Sequence, residues 1–213
     1  MKQEAEKLLV EISFLYQKYA DELRATTQPY QLARIQGQFK GYEYDATHGV
    51  VRESLLEHVG VLPMLAVAFY PHINDPEVDL GKALTMLAIH DIGELVVGDV
   101  STFKKQKEDA SAEYEAGISL LDPMYHDLYD QAEKKSNPTA KFAKAIDKIA
   151  PDILDYLTSG DLTIERFMQL YDMPKEGIVP LIIKHKRPYM VWNPFMTVFH
   201  DLLMDRVGQQ LEG

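Results

Sequence analysis

His90 and Asp91 are neighbours in an otherwise apolar run, Ala88-Ile89-His90-Asp91-Ile92-Gly93-Glu94-Leu95, and Glu94 follows one helical turn after the His. Three ionisable groups in such a run need partners, because an unpaired buried charge is expensive. On a continuous helix, His90 and Glu94 share a face about 6 Å apart along the axis, so both can address one point. Asp91 projects about 100° around the axis and can still reach an ion lying against that edge. Imidazole nitrogen combined with carboxylate oxygen suits a divalent ion such as Mn, Co, Fe, Mg or Zn, without choosing between them.

Two further groups interrupt apolar helical stretches in the same way: His58 in Leu55-Leu56-Glu57-His58-Val59, and Asp147 in Ala143-Lys144-Ala145-Ile146-Asp147-Lys148-Ile149. They lie too far from His90 in sequence for one local motif, but three helices converging in a bundle would bring them together. His58, His90, Asp91 and Asp147 are therefore the candidate ligands of one divalent metal ion. An ion so held polarises a phosphoryl oxygen and lowers the pKa of bound water, which is what phosphate-ester hydrolysis at neutral pH requires. Glu94 would then orient that water or take its proton.

The elements that must position these groups read as helices. Apolar residues recur at steps of three and four, first as Leu8, Leu9, Ile12, Leu15, Tyr16, Tyr19 and Leu23. Further helical windows fall at 53–70, 79–95, 108–122, 138–158, 161–171, 175–186 and 194–210. Asn137 before Pro138, and Asn193 before Pro194, each place a capping side chain ahead of a proline at the first helical position. Asn74-Asp75-Pro76 and Ser159-Gly160 mark helix ends. Pro63 removes a hydrogen bond to the carbonyl of Val59, which predicts a kink or a late start in the helix carrying His58. Strand signals are scarce, and the stretch 26–52 is the longest irregular segment, where the groups lining a leaving-group pocket are expected. The fold class is all-α: a single-domain helical bundle over 1–213 with its metal-binding core at about 53–150.

Composition agrees with a globular chain. Of 213 residues, 46% are apolar and 26% charged, which excludes a wholly disordered or low-complexity protein. Without any Cys there is no disulfide, thiolate zinc site or Cys nucleophile. The net charge of −11 repels polyanions, so polymeric nucleic acid is not the expected partner; a small anion held at one site is. The charged N-terminal stretch lacks the apolar core of a signal peptide, and no apolar run is long enough for a membrane span. The expectation is a cytoplasmic protein.

The order His58, His90-Asp91, Asp147 resembles the HD-domain superfamily of metal-dependent phosphohydrolases, whose ligands come as His, His-Asp and Asp on separate helices. Glu57-His58, His90-Asp91-x-x-Glu94-x-x-x-Gly98-Asp99 and Asp147 together resemble its 5′-deoxynucleotidase branch. That resemblance implies an HD-type bundle, one divalent metal as cofactor, and removal of phosphate from nucleoside 5′-monophosphates, deoxynucleotides first. It also assigns Glu94 to the attacking water and Asp99 to catalysis near the phosphate or sugar. Family members are commonly dimers, which makes a homodimer an expectation too. Upstream of the first His, the branch carries an Arg followed by an aromatic that holds the nucleotide; here Glu43-Tyr44 stands in that place. Lys40 or Arg52 is the substitute cation, and Lys104 and Lys105, just after Ser101-Thr102, offer positive charge near the expected phosphate. Alternatives are a hydrolase of another small phosphorylated metabolite or a guanosine polyphosphate, and a non-catalytic module binding metal or nucleotide.

The other chemistry-bearing residues read as structural. Glu57 returns a bond to Ser54 in a capping box. Gly98 fits a helix C-cap as well as a functional turn. His48, His72, His126, His185 and His200 have no comparable neighbours. Lys184-His185-Lys186-Arg187 complements a helix C-terminus. Tyr189 and Trp192 pin the last helix to the bundle.

Overall fold

The structure, a computed structural model, describes residues 23–27, 52–157 and 160–212. The stripe from Leu8 to Tyr19, Lys40, Glu43-Tyr44 and His48 lie outside the described residues. Leu23, which the periodicity assigns to a helix, instead opens a strand. β1 (Leu23–Thr27) pairs antiparallel with β2 (Arg52–Ser54), with Leu23 opposite Ser54 and Thr27 opposite Arg52. Five residues against three leave an irregularity in the ladder, and the β-branched pair Thr26-Thr27 favours the extended form locally over a helical period continued from upstream.

All else of regular structure in the described part is helical, as the all-α reading requires. The helices are α1 (Leu55–Phe69), α2 (Leu80–Ile89), α3 (Lys107–Leu120), α4 (His126–Lys134), α5 (Pro138–Leu157), α6 (Gly160–Tyr171), α7 (Lys175–Lys186) and α8 (Pro194–Glu212), with a single helical turn at Glu94–Val97 between α2 and α3. At the centre, α5 packs against α1, α2, α4 and α8. Its apolar residues explain this position: Ala140, Phe142, Ala145, Ile146 and Ile149 are fully buried, and Ala143 and Ala150 nearly so. The alanines let neighbouring helices approach closely, while burial of each larger side chain contributes about 1.5–3 kcal/mol. Asp147 therefore stands at the middle of the bundle.

The capping side chains act as read. Asn137 accepts from the backbone N–H of Ala140 at 2.9 Å, and Asn193 from Phe195 and Met196 at 2.9 and 3.2 Å. Asn193 also donates to the carbonyl of Ile73 at 2.8 Å, which ties the start of α8 to the end of the α1 segment.

Three helical expectations change. The window 79–95 is not one helix: α2 stops at Ile89, and bonds from Ile92 to Ile89 and from Glu94 to Asp91 tighten the chain through His90–Gly93. Of the two outcomes that Pro63 predicts for α1, the late start does not occur: the helix begins at Leu55, with Pro63 inside it. Pro63 and Gly60 are both exposed, so the proline takes one backbone bond from the helix on a side away from the core. Helix α4 is absent from the sequence reading because nine mostly polar residues bury only Tyr129 and Ala132, too few to make a period.

Candidate metal centre

His58, one turn into α1, is 1% exposed; His90 caps the end of α2; Asp147 sits midway along α5 and is 2% exposed. The three helices converge as the sequence reading requires. His58 Nε2 stands 3.3 Å from Asp147 Oδ1 and 3.7 Å from Asp91 Oδ2. His90 Nε2 stands 3.1 Å from Asp91 Oδ1 and 3.4 Å from Asp147 Oδ1. His58, His90 and Asp147 form a group whose donor atoms all lie within 4.8 Å of one another.

The tautomer of His90 follows from its second nitrogen. Nδ1 lies 2.9 Å from the carbonyl oxygen of Leu87, which can only accept, so Nδ1 carries the proton and Nε2 presents a lone pair. That lone pair faces two carboxylate oxygens. Acceptors gathered against acceptors in a buried site need a proton or a cation between them, and two imidazoles with two carboxylates are a donor set that fits a divalent metal. Without metal, burial opposes charge on His90, but Asp91 and Asp147 outweigh it and raise its pKa to about 10. Asp147 moves the opposite way. Burial alone would raise its pKa, but the ammonium groups of Lys148 and Lys144, the His90 imidazolium and a hydrogen bond from His58 hold it well below the usual carboxylate range. Both lysines approach Asp147 Oδ2 at 3.1 Å, leaving Oδ1 to the imidazoles.

Asp91 also belongs to a second buried group, with Glu94 and Glu113. A continuous helix would place His90 and Glu94 on one face; with α2 ending at Ile89, the tightened turn carries Glu94 to the carboxylate side, next to Asp91. Glu113, on α3, is the member the sequence reading does not pick out. The available signal was weak: Glu113 shares a helix face with Ala116 and Gly117, and these three are the buried residues of an otherwise polar helix. Gly93 makes the approach between the turn and α3 possible, since a Cβ there would come within 2.0 Å of the Glu113 carbonyl oxygen. Lys105 forms an ion pair with Glu113.

Gly98 ends the Glu94–Val97 turn at φ 81°, with its N–H bonded to the Glu94 carbonyl at 2.8 Å, so it serves as the C-cap. Asp99, half-buried, comes next; it belongs to neither group, and burial raises the pKa of Tyr171 with a smaller push in the same direction from the Asp99 charge. Lys104 is exposed and donates to the carbonyl of Leu170 at 2.7 Å. Arg52 lies in β2, opposite Thr27. Among the residues read as structural, Lys186 differs from a helix-end cation: it is buried in an ion pair with Asp152, beside the fully buried His200.

The HD domain family model matches residues 43–176, more than half of the chain, and that span carries every candidate ligand. The chain belongs to the HD domain family. This HD domain is 30% identical to the 5′-deoxynucleotidase hdd1 of Schizosaccharomyces pombe over 118 residues, 47% of this chain and 56% of the relative. The chain thus spans little more than half the length of the curated relative it matches. In fold, the HD domain resembles the crystal structure of a predicted metal-dependent phosphohydrolase from Magnetospirillum magnetotacticum MS-1, with a TM-score of 0.62 and 20% identity, covering 95% of this chain and 96% of that one.

Proposed function

We propose that this HD domain is a metal-dependent phosphohydrolase that removes phosphate from nucleoside 5′-monophosphates, deoxynucleotides first. The observation that carries this reading is the convergence of His58, His90, Asp91 and Asp147 on one buried point, with Glu94 beside it. These four residues are the proposed ligands. When bound, a divalent ion supplies positive charge to a phosphoryl oxygen and makes water more acidic. The chain's own groups do the rest. Leu87 fixes the His90 tautomer, Lys144 and Lys148 keep Asp147 ionised, and buried Glu94 orients the attacking water and accepts its proton. Asp99, on the far side of the Glu94 turn, assists at the ester or the sugar.

The similarity to a 5′-deoxynucleotidase supports the substrate class, and the net charge of −11 supports a small substrate over a polymer. Among the described residues no helix is long and apolar enough to cross a membrane. We read the whole chain as one HD-type domain working in the cytoplasm, with a homodimer as its assembly. The test is phosphate release from deoxynucleoside and ribonucleoside 5′-monophosphates, comparing metal-stripped protein with Mn- and Co-loaded protein and with Asp91→Ala. Metal-dependent release that is lost in the variant supports the reading, and no release from any monophosphate refutes it.

A further inference from the structure

Lys104 and Lys105 are consecutive cations, and the fold sends them to different places. Both backbone N–H groups bond to the Ser101 carbonyl, at 2.8 and 2.9 Å, so the chain turns tightly there. Aromatic contacts clamp the turn from one side. Ser101 Oγ meets the Tyr171 hydroxyl at 2.7 Å, and Phe103 sets its ring against the edges of Tyr171 and His185 at 5.2 and 5.5 Å. Lys104 is spent on that side, its ammonium on the Leu170 carbonyl and 5.3 Å from the Tyr171 ring centre. Lys105 turns to Glu113, in the carboxylate group shared by Asp91 and Glu94.

We propose that Lys105, aimed by Glu113, is the cation that receives the phosphate group at this site. The inference rests on the phosphomonoesterase reading above and adds a residue pair to it. Three observations carry it. First, the Lys105 side chain is 25% exposed while Glu113 is 9%, so the pair has a buried anchor and an open cationic end. An ammonium has three N–H donors, and one carboxylate partner leaves others for phosphate oxygens. Second, among the described residues, the neighbouring cations Lys144 and Lys148 are committed elsewhere: both hold Asp147, and Lys148 also donates to Thr102 at 3.3 Å. Third, the anchor is built in. Gly93 lets α3 approach to a distance that any side chain would prevent, and this seats Glu113 against the Asp91 turn. A phosphate dianion at this site lies beside the carboxylates of Asp91, Glu94 and Glu113, and Lys105 is a cation placed to offset their charge.

The test is calorimetric titration of inorganic phosphate into the full-length, Mn-loaded protein, with metal content and melting temperature measured on every sample. Lys105→Ala is expected to weaken phosphate binding about tenfold or more, as loss of a charge-assisted bond should, and Lys105→Arg to retain it within about threefold. Glu113→Gln should weaken it as Lys105→Ala does, with the double variant no worse than Lys105→Ala, because the two act as one unit. Phosphate affinity of Lys105→Ala within about twofold of the parent overturns the proposal, as does absence of phosphate binding by the parent. Should Glu113→Gln fail to fold, the partly exposed Lys105 variants decide alone. Parent protein that binds phosphate through Lys105 yet hydrolyses no monophosphate would sink the phosphomonoesterase reading and leave this one standing.

Discussion

The Nδ1–H of His90 donates to the carbonyl oxygen of Leu87, one turn earlier in the same helix, at 2.9 Å. This single bond turns Nε2 into the acceptor that faces Asp91 and Asp147, and proton and metal then compete for it.

In metal-free protein, burial opposes the charged form of His90, but Asp91 and Asp147 outweigh it and raise the pKa from 6.5 to about 10. A raised folded-state pKa stabilises the fold fully below the unfolded value, and that stability is lost as pH climbs through the folded one. Chelated protein should therefore melt lower at pH 10 than at pH 6.5, by ~5 °C or more if ~2 kcal/mol is lost in a chain of this length. Mn-loaded protein should show a much smaller fall, because the metal replaces the proton. Scanning calorimetry across that range, with and without chelator, checks both; a flat profile for the chelated protein contradicts the assignment.

Glu94→Gln separates holding the metal from using it. Gln is nearly isosteric, and it can neither accept a proton nor contribute charge. Metal content by atomic emission should stay at the parent level, while phosphate release falls by about a hundredfold or more. Metal lost together with activity would make Glu94 a ligand instead.

Much of this candidate site was legible in the sequence because its proposed ligands stand in apolar helical runs, where ionisable residues draw notice. His58 and Asp147 do this, and the order of the four proposed ligands carried the family resemblance that the family match bears out. What was not legible depends on close approach between elements. Glu113 lies in a polar helix among Glu108, Asp109 and Glu115, where its place on the face of Ala116 and Gly117 is a weak signal and packing against Gly93 sets it apart. The end of α2 at Ile89 was hidden for a related reason: nothing in Ile89-His90-Asp91-Ile92 breaks a helix, and the tightened turn is imposed by the contacts its side chains make. Lys186 looked like a helix-end cation because Asp152, its buried partner, sits on another helix.

The glycines give a paired prediction. Gly93→Ala puts a Cβ 2.0 Å from the Glu113 carbonyl, so α3 must move, and the variant should lose ~2 kcal/mol or more along with activity. Gly60, inside α1, has nothing within 4 Å of its Cβ position, and Gly60→Ala should gain about 0.5–1 kcal/mol from helix propensity with activity unchanged. Urea melts of both variants supply the comparison, and equal effects would discount the close approach.

Five residues beyond Asp147 on α5, Asp152 pairs with Lys186 of α7, and both are almost fully buried. Burial raises the Asp152 pKa and Lys186 lowers it, with a net rise from 3.8 to about 6. The sign for the parent follows: the folded state favours protonated Asp152, so this group contributes stability below pH 3.8 that is lost as pH rises through about 6. Lys186→Met removes the main opposing charge, which pushes the Asp152 pKa higher still. At neutral pH the variant must then either bury an unpaired carboxylate or protonate it, at a cost of ~3 kcal/mol. At pH 5 the carboxyl in the variant is already protonated, so the deficit against the parent should be smaller than at pH 7. Denaturant titrations of parent and Lys186→Met at both values measure that difference directly, and a deficit that grows on acidification would show that the Lys186 ammonium matters for something other than neutralising Asp152.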